Sequence, residues 1–404
     1  MKIALIIRKL NVKGGTQRQA LSLARELKRM GHKIKIYTMS VSLEGGYDDL
    51  LREFEVVCLK DRPKMFHLPE LPGFGYLKRL ISENASAKTI ALLMDRDFDI
   101  LNPHDQVAYR VAYFYKKRVK NIPSVWNMND LPNLYWIYNK ARGVDKNFYQ
   151  PFYKRFFYIL NDWYDNWKYI SAQDAIIVVD FFNRGLVEKY LGRKAITVRS
   201  GPDLEHFSYR PPPPLVGKSV RLLTSGIFFP HRRYEDTIRA VRMLLDQGYN
   251  PHLSIIGAHE TDLKYYEHLK KIVNDLDLNG RVIFMGRVSE NDLVLAYSSH
   301  NIYIFQHHLQ SDGLSQFEAV ASGLPIIVSK TAGCHEVLTD GENALFINPK
   351  DPQDIVLKIK QLIDDPALYA KLSENGSNFV RNNFSWDKYA KNILTVFKEV
   401  LGSK

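Results

Sequence analysis

The stretch HHLQSDGLSQFEAVASGLPIIVSKTAGCHEVLTDGENALFINP, residues 307–349, carries the pattern on which the reading of this chain turns. Leu324, Ile326, Ile327 and Val328 make an apolar run of strand length and largely β-branched composition. Gly313 and Gly323 bracket a helix that begins near Leu314 and Ser315. Gly313 lets the backbone come close to a ligand, and the free N–H groups of the following helix would face an anion such as a diphosphate. Glu318, in the middle of the stretch, is acceptor-only when ionised and suits a pair of ribose hydroxyls. Ser315 and Glu318 also fit a capping box, in which the glutamate reaches back to a backbone N–H. On these residues alone both readings stand.

Working outward, the chain alternates strands and helices in two series. It opens with a buried-type strand, Ile3 to Ile7, followed by a loop holding Gly14 and Gly15. Thr16 is placed to cap the next helix, where Ala20, Leu23, Ala24 and Leu27 recur at helical spacing until Gly31. Ile34 and Ile36 then alternate as a second strand, which completes a βαβ unit and implies a parallel sheet with ligands at the carboxyl ends of its strands. Gly14-Gly15 lacks the full G-x-G-x-x-G pattern and no acidic residue ends the second strand, so a dinucleotide oxidoreductase is disfavoured. Strands are expected at Asp99–Leu101, Ser124–Trp126 and Ala175–Val179. A proline run, Pro211 to Pro214, reads as a stiff linker. The alternation restarts at Arg221–Ser225, Leu253–Ile256, Val282–Phe284, Ile302–Phe305 and Ile326–Val328. Two successive α/β domains joined near Ser200 to Gly217 are the simplest architecture, with the cleft between them as the expected site.

The first strand of the second series ends in SGIFFPHRRYED, where Arg232 and Arg233 stand beside the Gly226 turn and just before a helix. Two guanidinium groups in that position would clamp a diphosphate through bidentate contacts, although a solvated basic helix start fits the same residues. Gly257 and Arg287 end the next two strands. Asp95-Arg96-Asp97 has the Asp-x-Asp form of a metal site but precedes a strand where a charged turn is the ordinary reading, so no metal is expected.

The run from Gln310 to Glu336 resembles the C-terminal signature of the retaining family 4 glycosyltransferases of GT-B fold (glycosyl transferases group 1). In that signature a glutamate, seven residues and a second glutamate precede a small-residue helix, Gly, Pro and a hydrophobic strand, then a Gly-containing turn with a further glutamate. The second glutamate falls on Glu318, Gly-x-Pro on Gly323 and Pro325, and the later turn on Ala332, Gly333 and Glu336; the first glutamate position is Gln310. The family's Gly-Arg-x-x-Pro-x-Lys-Gly segment matches Gly226 to Arg233, with Ile227 at the arginine, Arg232 at the lysine and Arg233 at the final glycine. Gly14-Gly15 is similar to the family's N-terminal Gly-Gly loop. Its N-domain histidine, in a hydrophobic-x-x-His-Asp pattern, aligns with Asn129, leaving Asp130 matched; His104 reads as a loop residue near the cleft.

The resemblance spans nearly the whole chain. It implies an α/β protein of GT-B type, two Rossmann-like domains facing each other across a cleft. Residues 1–205 would form the acceptor domain and 206–384 the donor domain, with a terminal helix over 385–404 packing back on the first. The implied reaction moves a hexose-type sugar, with retention and without metal, from a nucleotide-diphosphate donor to a glycan or lipid-linked acceptor. Arg232, Gln310 and Asn129 would act on the reacting groups. Glu318, Gly313, Leu314 and Ser315 would hold the nucleotide, together with Gly14, Gly15, Gly226, Arg233, Gly257 and Arg287; no separate cofactor is implied. The leaving phosphate itself assists deprotonation of the acceptor, so no protein nucleophile is required. Amides at Gln310 and Asn129, where the family has Glu and His, imply either a different donor sugar or lost activity. Two further readings stay open: a nucleotide-sugar epimerase of the same fold, and a catalytically silent nucleotide-binding partner subunit.

Composition agrees with an enzyme of this kind. The 404 residues suggest two domains, 45% hydrophobic content is ordinary for a soluble protein, and two cysteines, Cys58 and Cys334, argue against a disulfide framework. The apolar N-terminal stretch is too short for a signal peptide, and no run approaches the ~20 apolar residues of a membrane span. A cytoplasmic protein is expected, and a net charge of +12 with pI near 9.3 invites an anionic partner. Lys116, Lys117, Arg118 and Lys120 precede an aromatic and basic segment from Leu134 to Tyr169 that includes Tyr135, Trp136, Phe148, Phe156, Trp163 and Trp167. Such a surface suits the inner face of an anionic membrane, and equally a helix packed on its own domain with a solvated basic face. No nucleic-acid motif accompanies the charge.

Overall fold

The first strand, β1 (Lys2–Leu10), is apolar at every position from Ile3 to Ile7, and a parallel sheet explains why. Alternate residues point to opposite faces, and both faces are covered. Leu5 and Ile7 pack with Ala20, Leu21 and Ala24 of α1 (Gly15–Arg29), while Ala4 and Ile6 pack on the other side with Ile90, Ala91, Val111 and Ala112. The computed structural model describes residues 1–42, 46–59, 74–129 and 152–403, with side chains from 79 in the helix that begins at residue 74 and from 155 in the helix that begins at residue 152.

Among the described residues, the first sheet continues with β2 (Lys33–Val41), α2 (Asp48–Leu51), β3 (Glu55–Cys58), α3 (Phe74–Leu93), β4 (Ile100–His104) and α4 (Ala108–Arg118). It closes with β5 (Val125–Met128), α5 (Phe152–Asp165), a π-turn at Asn166–Ile170, β6 (Ala175–Val178), α6 (Phe181–Leu191) and β7 (Ile196–Thr197). The seven strands are parallel in the order β3-β2-β1-β4-β5-β6-β7. The second sheet comprises β8 (Ser219–Ser225), α7 (Tyr234–Asp246), β9 (Asn250–Ile256), α8 (Leu263–Asp275), β10 (Val282–Gly286), α9 (Glu290–Ser299) and β11 (Ile302–Phe305). After these come α10 (Ser315–Ala321), β12 (Ile326–Ser329), β13 (Leu345–Ile347), α11 (Pro352–Asp364) and α12 (Pro366–Asn383). Its six strands are parallel in the order β10-β9-β8-β11-β12-β13. Residues 201–385 hold this sheet; residues 1–129, 152–200 and the terminal helix α13 (Trp386–Gly402) form the other unit.

Three local expectations are corrected. Thr16 does not cap α1: Gly14 is the N-cap, with no side-chain cap, and Thr16 lies inside the first turn. The proline run is not a free linker, because the Pro213 carbonyl accepts from Asn301 Nδ2 at 2.8 Å and from the Tyr369 hydroxyl at 2.9 Å, pinning it to the second unit. His104 is not a loop residue; it ends β4 and is fully buried. Asp95 and Asp97 are paired with Lys35, at 3.0 Å, and with Lys2.

A buried polar chain crosses the first core. Asn127 Nδ2 donates to the Tyr389 hydroxyl of α13 at 2.9 Å, and Asn102 Nδ2 donates to Asn127 Oδ1 at 2.8 Å. That leaves Asn102 Oδ1 to accept from His104 Nε2 at 2.7 Å, which fixes the proton of a neutral ring on Nε2. Burial, with no compensating charge, pushes the His104 pKa down from 6.5 to about 3.

Above pH 6.5 the ring is neutral whether folded or unfolded; as pH falls below that, the unfolded chain takes up the proton first, so stability is lost progressively down to the folded pKa. His104→Gln should destabilise the protein at pH 7, and the gap from wild type should shrink by about 2–3 kcal/mol on going to pH 4.5, since one pKa unit is worth about 1.4 kcal/mol. Urea unfolding at both pH values measures it, and a pH-independent gap would show that the ring is not held neutral.

Candidate functional site

Strand order in the second sheet reverses between β8 and β11, with β9 and β10 on one side and β12 and β13 on the other. In open α/β sheets ligands bind outside the carboxyl ends of the strands at such a crossover. Two loops leave the sheet there, residues 226–233 after β8 and 306–314 after β11.

The backbone is bare at this edge. Gly226 N–H donates to the Ile256 carbonyl and Gly257 N–H to the Gly286 carbonyl, both at 2.9 Å. Gly257 has φ +155°, and a Cβ there would stand 1.9 Å from the Gly226 oxygen, so only glycine fits.

Arg232 closes a 3-10 turn, Pro230–Arg232, and is held from both ends. Its carbonyl accepts from Gln306 Nε2 at 2.9 Å, and its Nη1 lies 2.9 Å from His307 Nδ1. His308 N–H reaches the His231 carbonyl at 3.2 Å, so the two loops are stitched together across the crossover. The guanidinium lies over Gly226: a Cβ at that glycine would be 3.6 Å from Nη1. A guanidinium only donates, so His307 Nδ1 accepts and the ring is neutral. His307 is fully buried, packed against Phe305 with ring centroids 3.9 Å apart. Burial first, then the charges of Arg232 and His231, hold its pKa well below the usual histidine value. Arg232 Nε is buried with no hydrogen-bond partner among the described residues.

Arg233 departs from the expected clamp. It sits at φ +58°, a left-handed position that matches the family's glycine, and its side chain turns back onto the start of α7. There it bonds Asp236 at 2.7 and 2.9 Å and pairs with Glu235 at 3.0 Å. Those two carboxylates already balance its charge, so the expected pair of guanidinium groups reduces to one.

Glu318 is half-buried, and the capping-box reading fails. The N-cap of α10 is Leu314, without a side-chain cap, which makes Ser315 the first helical residue instead of the cap. Glu318 Oε2 accepts from the Tyr297 hydroxyl at 3.4 Å, and the same hydroxyl lies 3.3 Å from the Ser315 carbonyl. The Tyr303 hydroxyl, 2.7 Å from Ser225 Oγ, links this cluster's neighbour β11 to the end of β8. The Gly313 carbonyl accepts from Gln316 Nε2 at 2.7 Å. Gln310 is buried in the loop after β11, and its carbonyl accepts from Gly333 N–H at 2.8 Å. Arg287, after β10 and two strands from the crossover, is exposed and ion-paired with Glu260.

In the first unit, Gly14 and Gly15 follow β1 at that sheet's own crossover between β1 and β4, and the Gly14 carbonyl lies 3.4 Å from the Tyr47 hydroxyl. Asn129 follows β5; its Nδ2 is buried and has no hydrogen-bond partner among the described residues. Asp130 and Leu134 to Tyr149 lie outside the described residues, as do the side chains of Phe152, Tyr153 and Lys154. The basic cluster is not one free face: Lys116 Nζ is bound by Asp174 at 2.7 Å and the Ala172 carbonyl at 2.8 Å, while Lys117, Arg118 and Lys120 are exposed.

Helix α5 is built inside out. It buries Asn161 and Asp165 and exposes Phe156, Phe157, Ile159, Leu160 and Trp163. Trp163 and Trp167 are 66% and 65% exposed, with their indoles stacked at 6.1 Å. No helix among the described residues is long and apolar enough to cross a membrane.

Sequence reasoning assigned no role to His307, Gln306 or Tyr297. Their one signal was position: polar side chains at the carboxyl end of the apolar strand Ile302–Phe305, or on the helix before it.

Two family models match the chain: Glycosyltransferase Family 4 over residues 13–206 and Glycosyl transferases group 1 over residues 207–379. An uncharacterized glycosyltransferase of Methanocaldococcus jannaschii is 23% identical over 98% of both chains. The O-antigen chain mannosyltransferase RfbU of Salmonella typhimurium is 35% identical over 150 residues, 36% of this chain and 40% of its own length. Among solved structures, Anabaena HepE in complex with UDP-glucose shares the fold, with TM-score 0.71 at 15% identity over the whole of both chains. The two models adjoin and each takes one of the two parallel-sheet units, so the chain belongs to the family 4, group 1 glycosyltransferases of GT-B fold.

Proposed function

We propose that this glycosyltransferase moves a hexose-type sugar, with retention of anomeric configuration and without a metal ion, from a nucleoside-diphosphate donor to a glycan or lipid-linked acceptor. The observation that carries the reading is Arg232, whose cation is held over the bare backbone of Gly226 by the neutral His307 ring. As the anomeric bond breaks, charge gathers on the terminal phosphate of the leaving diphosphate, and a fixed cation at that point stabilises it. The leaving phosphate then takes the acceptor proton, so no protein nucleophile is needed. Gly226, Gly257 and the Gly313–Ser315 turn offer close backbone approach to the phosphates. Glu318 accepts from the ribose, and Gln310 and Asn129 stand at the positions where the family has Glu and His. A protein of the same fold that binds UDP-glucose supports the donor class.

Helix α5 bears on the acceptor class. A helix that buries Asn161 and Asp165 and exposes Phe156, Leu160 and Trp163, with Trp167 exposed in the turn that follows, fits an apolar or interfacial medium rather than water. The exposed Lys117, Arg118 and Lys120 add attraction to anionic headgroups.

Thermal melting with UDP, GDP, ADP and their sugars identifies the base, since a ligand at 100 times its Kd stabilises by about 2.7 kcal/mol. With that donor, Arg232→Ala should lower kcat about 100- to 1000-fold while KM moves little, because the charge it meets is larger in the transition state. Steady-state release of the nucleoside diphosphate measures this, and an unchanged kcat would remove Arg232 from the mechanism. Product NMR reads the anomer; an inverted product overturns retention.

Glu318→Ala should weaken nucleotide binding about ten- to a hundredfold in calorimetric titration, the worth of a hydrogen bond to a charged group, with little change in melting temperature. A fall in stability with unchanged affinity would make the carboxylate structural.

Trp163→Ser with Trp167→Ser should reduce flotation with phosphatidylglycerol vesicles and leave nucleotide binding intact. Equal flotation of variant and wild type would favour a soluble acceptor.

A further inference from the structure

The first unit carries a strained turn at the carboxyl edge of its own sheet, where β1 and β4 meet at the crossover. Ile7 of β1 pairs with His104, the last residue of β4, so Arg8 and Asp105 are the residues that follow that pair. Asp105 has φ +67° and Val107 φ +71°, two left-handed residues within three, and neither is glycine. Aspartate enters that region at small cost, but a β-branched valine does so only when its surroundings force it. Here the surroundings are firm. Trp126 Nε1 donates to the Asp105 carbonyl at 3.0 Å, and the Asp105 N–H donates to the Asn127 carbonyl at 3.2 Å. Trp126 is fully buried and packs edge-on to Tyr109 with ring centroids 4.9 Å apart, so both peptide groups of Asp105 are tied to the core.

The side chain is held at one oxygen and open at the other. Oδ1 accepts from the Gln106 N–H at 2.6 Å. Oδ2 has no hydrogen-bond partner among the described residues, and it is not closed off as the neighbouring His104 Nδ1 is: Asp105 is half-buried, and this oxygen reaches solvent. Burial raises the Asp105 pKa, and the charges of Arg8 and Lys9 offset that only in part. Arg8 acts on it from a distance, being engaged with Glu83 at 3.5 Å, a carboxylate it shares with Arg79 at 3.0 Å. Asp105 is thus short of hydration, and a hydroxyl brought to Oδ2 supplies the donor it lacks. Strain of this kind persists where it positions a group, and ligands of open α/β sheets meet the carboxyl ends of the strands at the crossover.

We propose that Asp105 is a specificity-determining residue of the acceptor side, whose Oδ2 receives a hydroxyl of a neutral hexoside, the sugar end of the acceptor. The inference rests on reading the first unit as the acceptor domain, and it names a group that selects there. An ionised carboxylate accepts and cannot donate, so its partner is a hydroxyl rather than a carbonyl or ether oxygen. A site that bonds a substrate hydroxyl rejects the analogue lacking it far more strongly than an apolar site rejects a missing methylene, so Asp105 governs which hydroxyl pattern is admitted. Were Asp105 only a turn former, glycine would replace it without loss of binding, since φ +67° suits glycine better.

The probes are methyl α-glucoside, methyl α-galactoside and methyl α-mannoside, titrated without donor into the full chain and followed by saturation-transfer NMR. At least one should bind saturably. Asp105→Gly should weaken that hexoside at least about tenfold while melting no lower than wild type, and Asp105→Asn, which keeps an acceptor for the Gln106 N–H, should weaken it about fivefold. Deoxy analogues of the same hexoside locate the contact: one single deletion should cost wild type about tenfold and the Asp105→Gly variant nothing, a coupling that a residue with a purely structural role does not show. No saturable binding of any of the hexosides, equal affinity in wild type and folded Asp105→Gly, or the same deoxy penalty in both overturns the proposal. Should Asp105→Gly not fold, Asp105→Asn measured against the deoxy series decides. Neither donor nor transfer is read, so a donor of another class or an inverted product would overturn the proposed function and leave this binding untouched.

Discussion

The hydrogen bond between Arg232 Nη1 and His307 Nδ1 is the constraint around which the second unit's functional edge is organised. It joins two loops that leave neighbouring strands in the sheet but lie far apart in sequence, and it works only because His307 is neutral. Burial under Phe305 and Tyr234 keeps it so, and the nearby cations push the same way. A protonated ring would offer a donor to a donor. Gln306 fixes the backbone of the same arginine, so its head is not left to the rotamer freedom of a long side chain.

Glycine plays the complementary part at this edge. The Gly226 carbonyl lies so close to Gly257 that no Cβ could be inserted at Gly257, and the absent side chains leave the backbone bare at this edge. Arg233, although adjacent to Arg232, serves a different end, because its left-handed backbone aims the guanidinium at Glu235 and Asp236, where it closes the start of α7. Two neighbouring arginines thus differ in role because their φ angles differ in sign.

The first unit handles buried polarity in two ways. The chain His104, Asn102, Asn127, Tyr389 is linked by hydrogen bonds and ties the terminal helix to the sheet, with only His104 Nδ1 left over. The Arg110, Asn161, Asp165 group under α5 is linked too, but two of its donors face no acceptor. Fully satisfied networks rigidify a core, and each of these two keeps at least one buried atom without a partner among the described residues.

The sequence by itself determined the alternation of strands and helices, since apolar runs such as Ile3–Ile7 and Ile302–Phe305 are of strand length, rich in β-branched or aromatic residues, and suit strands buried on both faces. It also determined the family, through the spacing of Gln310, Glu318, Gly323 and Pro325, because that pattern is local and repeats wherever the same loop, helix and strand are built. Only the tertiary structure decided which polar side chains meet. Arg232 and Arg233 look alike in sequence, and a dihedral angle separated them. His307 showed no role until β8 and β11 were laid side by side. Lys116 looked like part of a basic patch until Asp174 was brought to it. Asn161 and Asp165, polar residues on a helix rich in aromatic side chains, are turned inward by their contacts with Arg110. Periodicity along a chain reports which residues share a face, whereas charge pairing, burial and hydrogen-bond satisfaction depend on neighbours distant in sequence, and these exist only once the chain has folded.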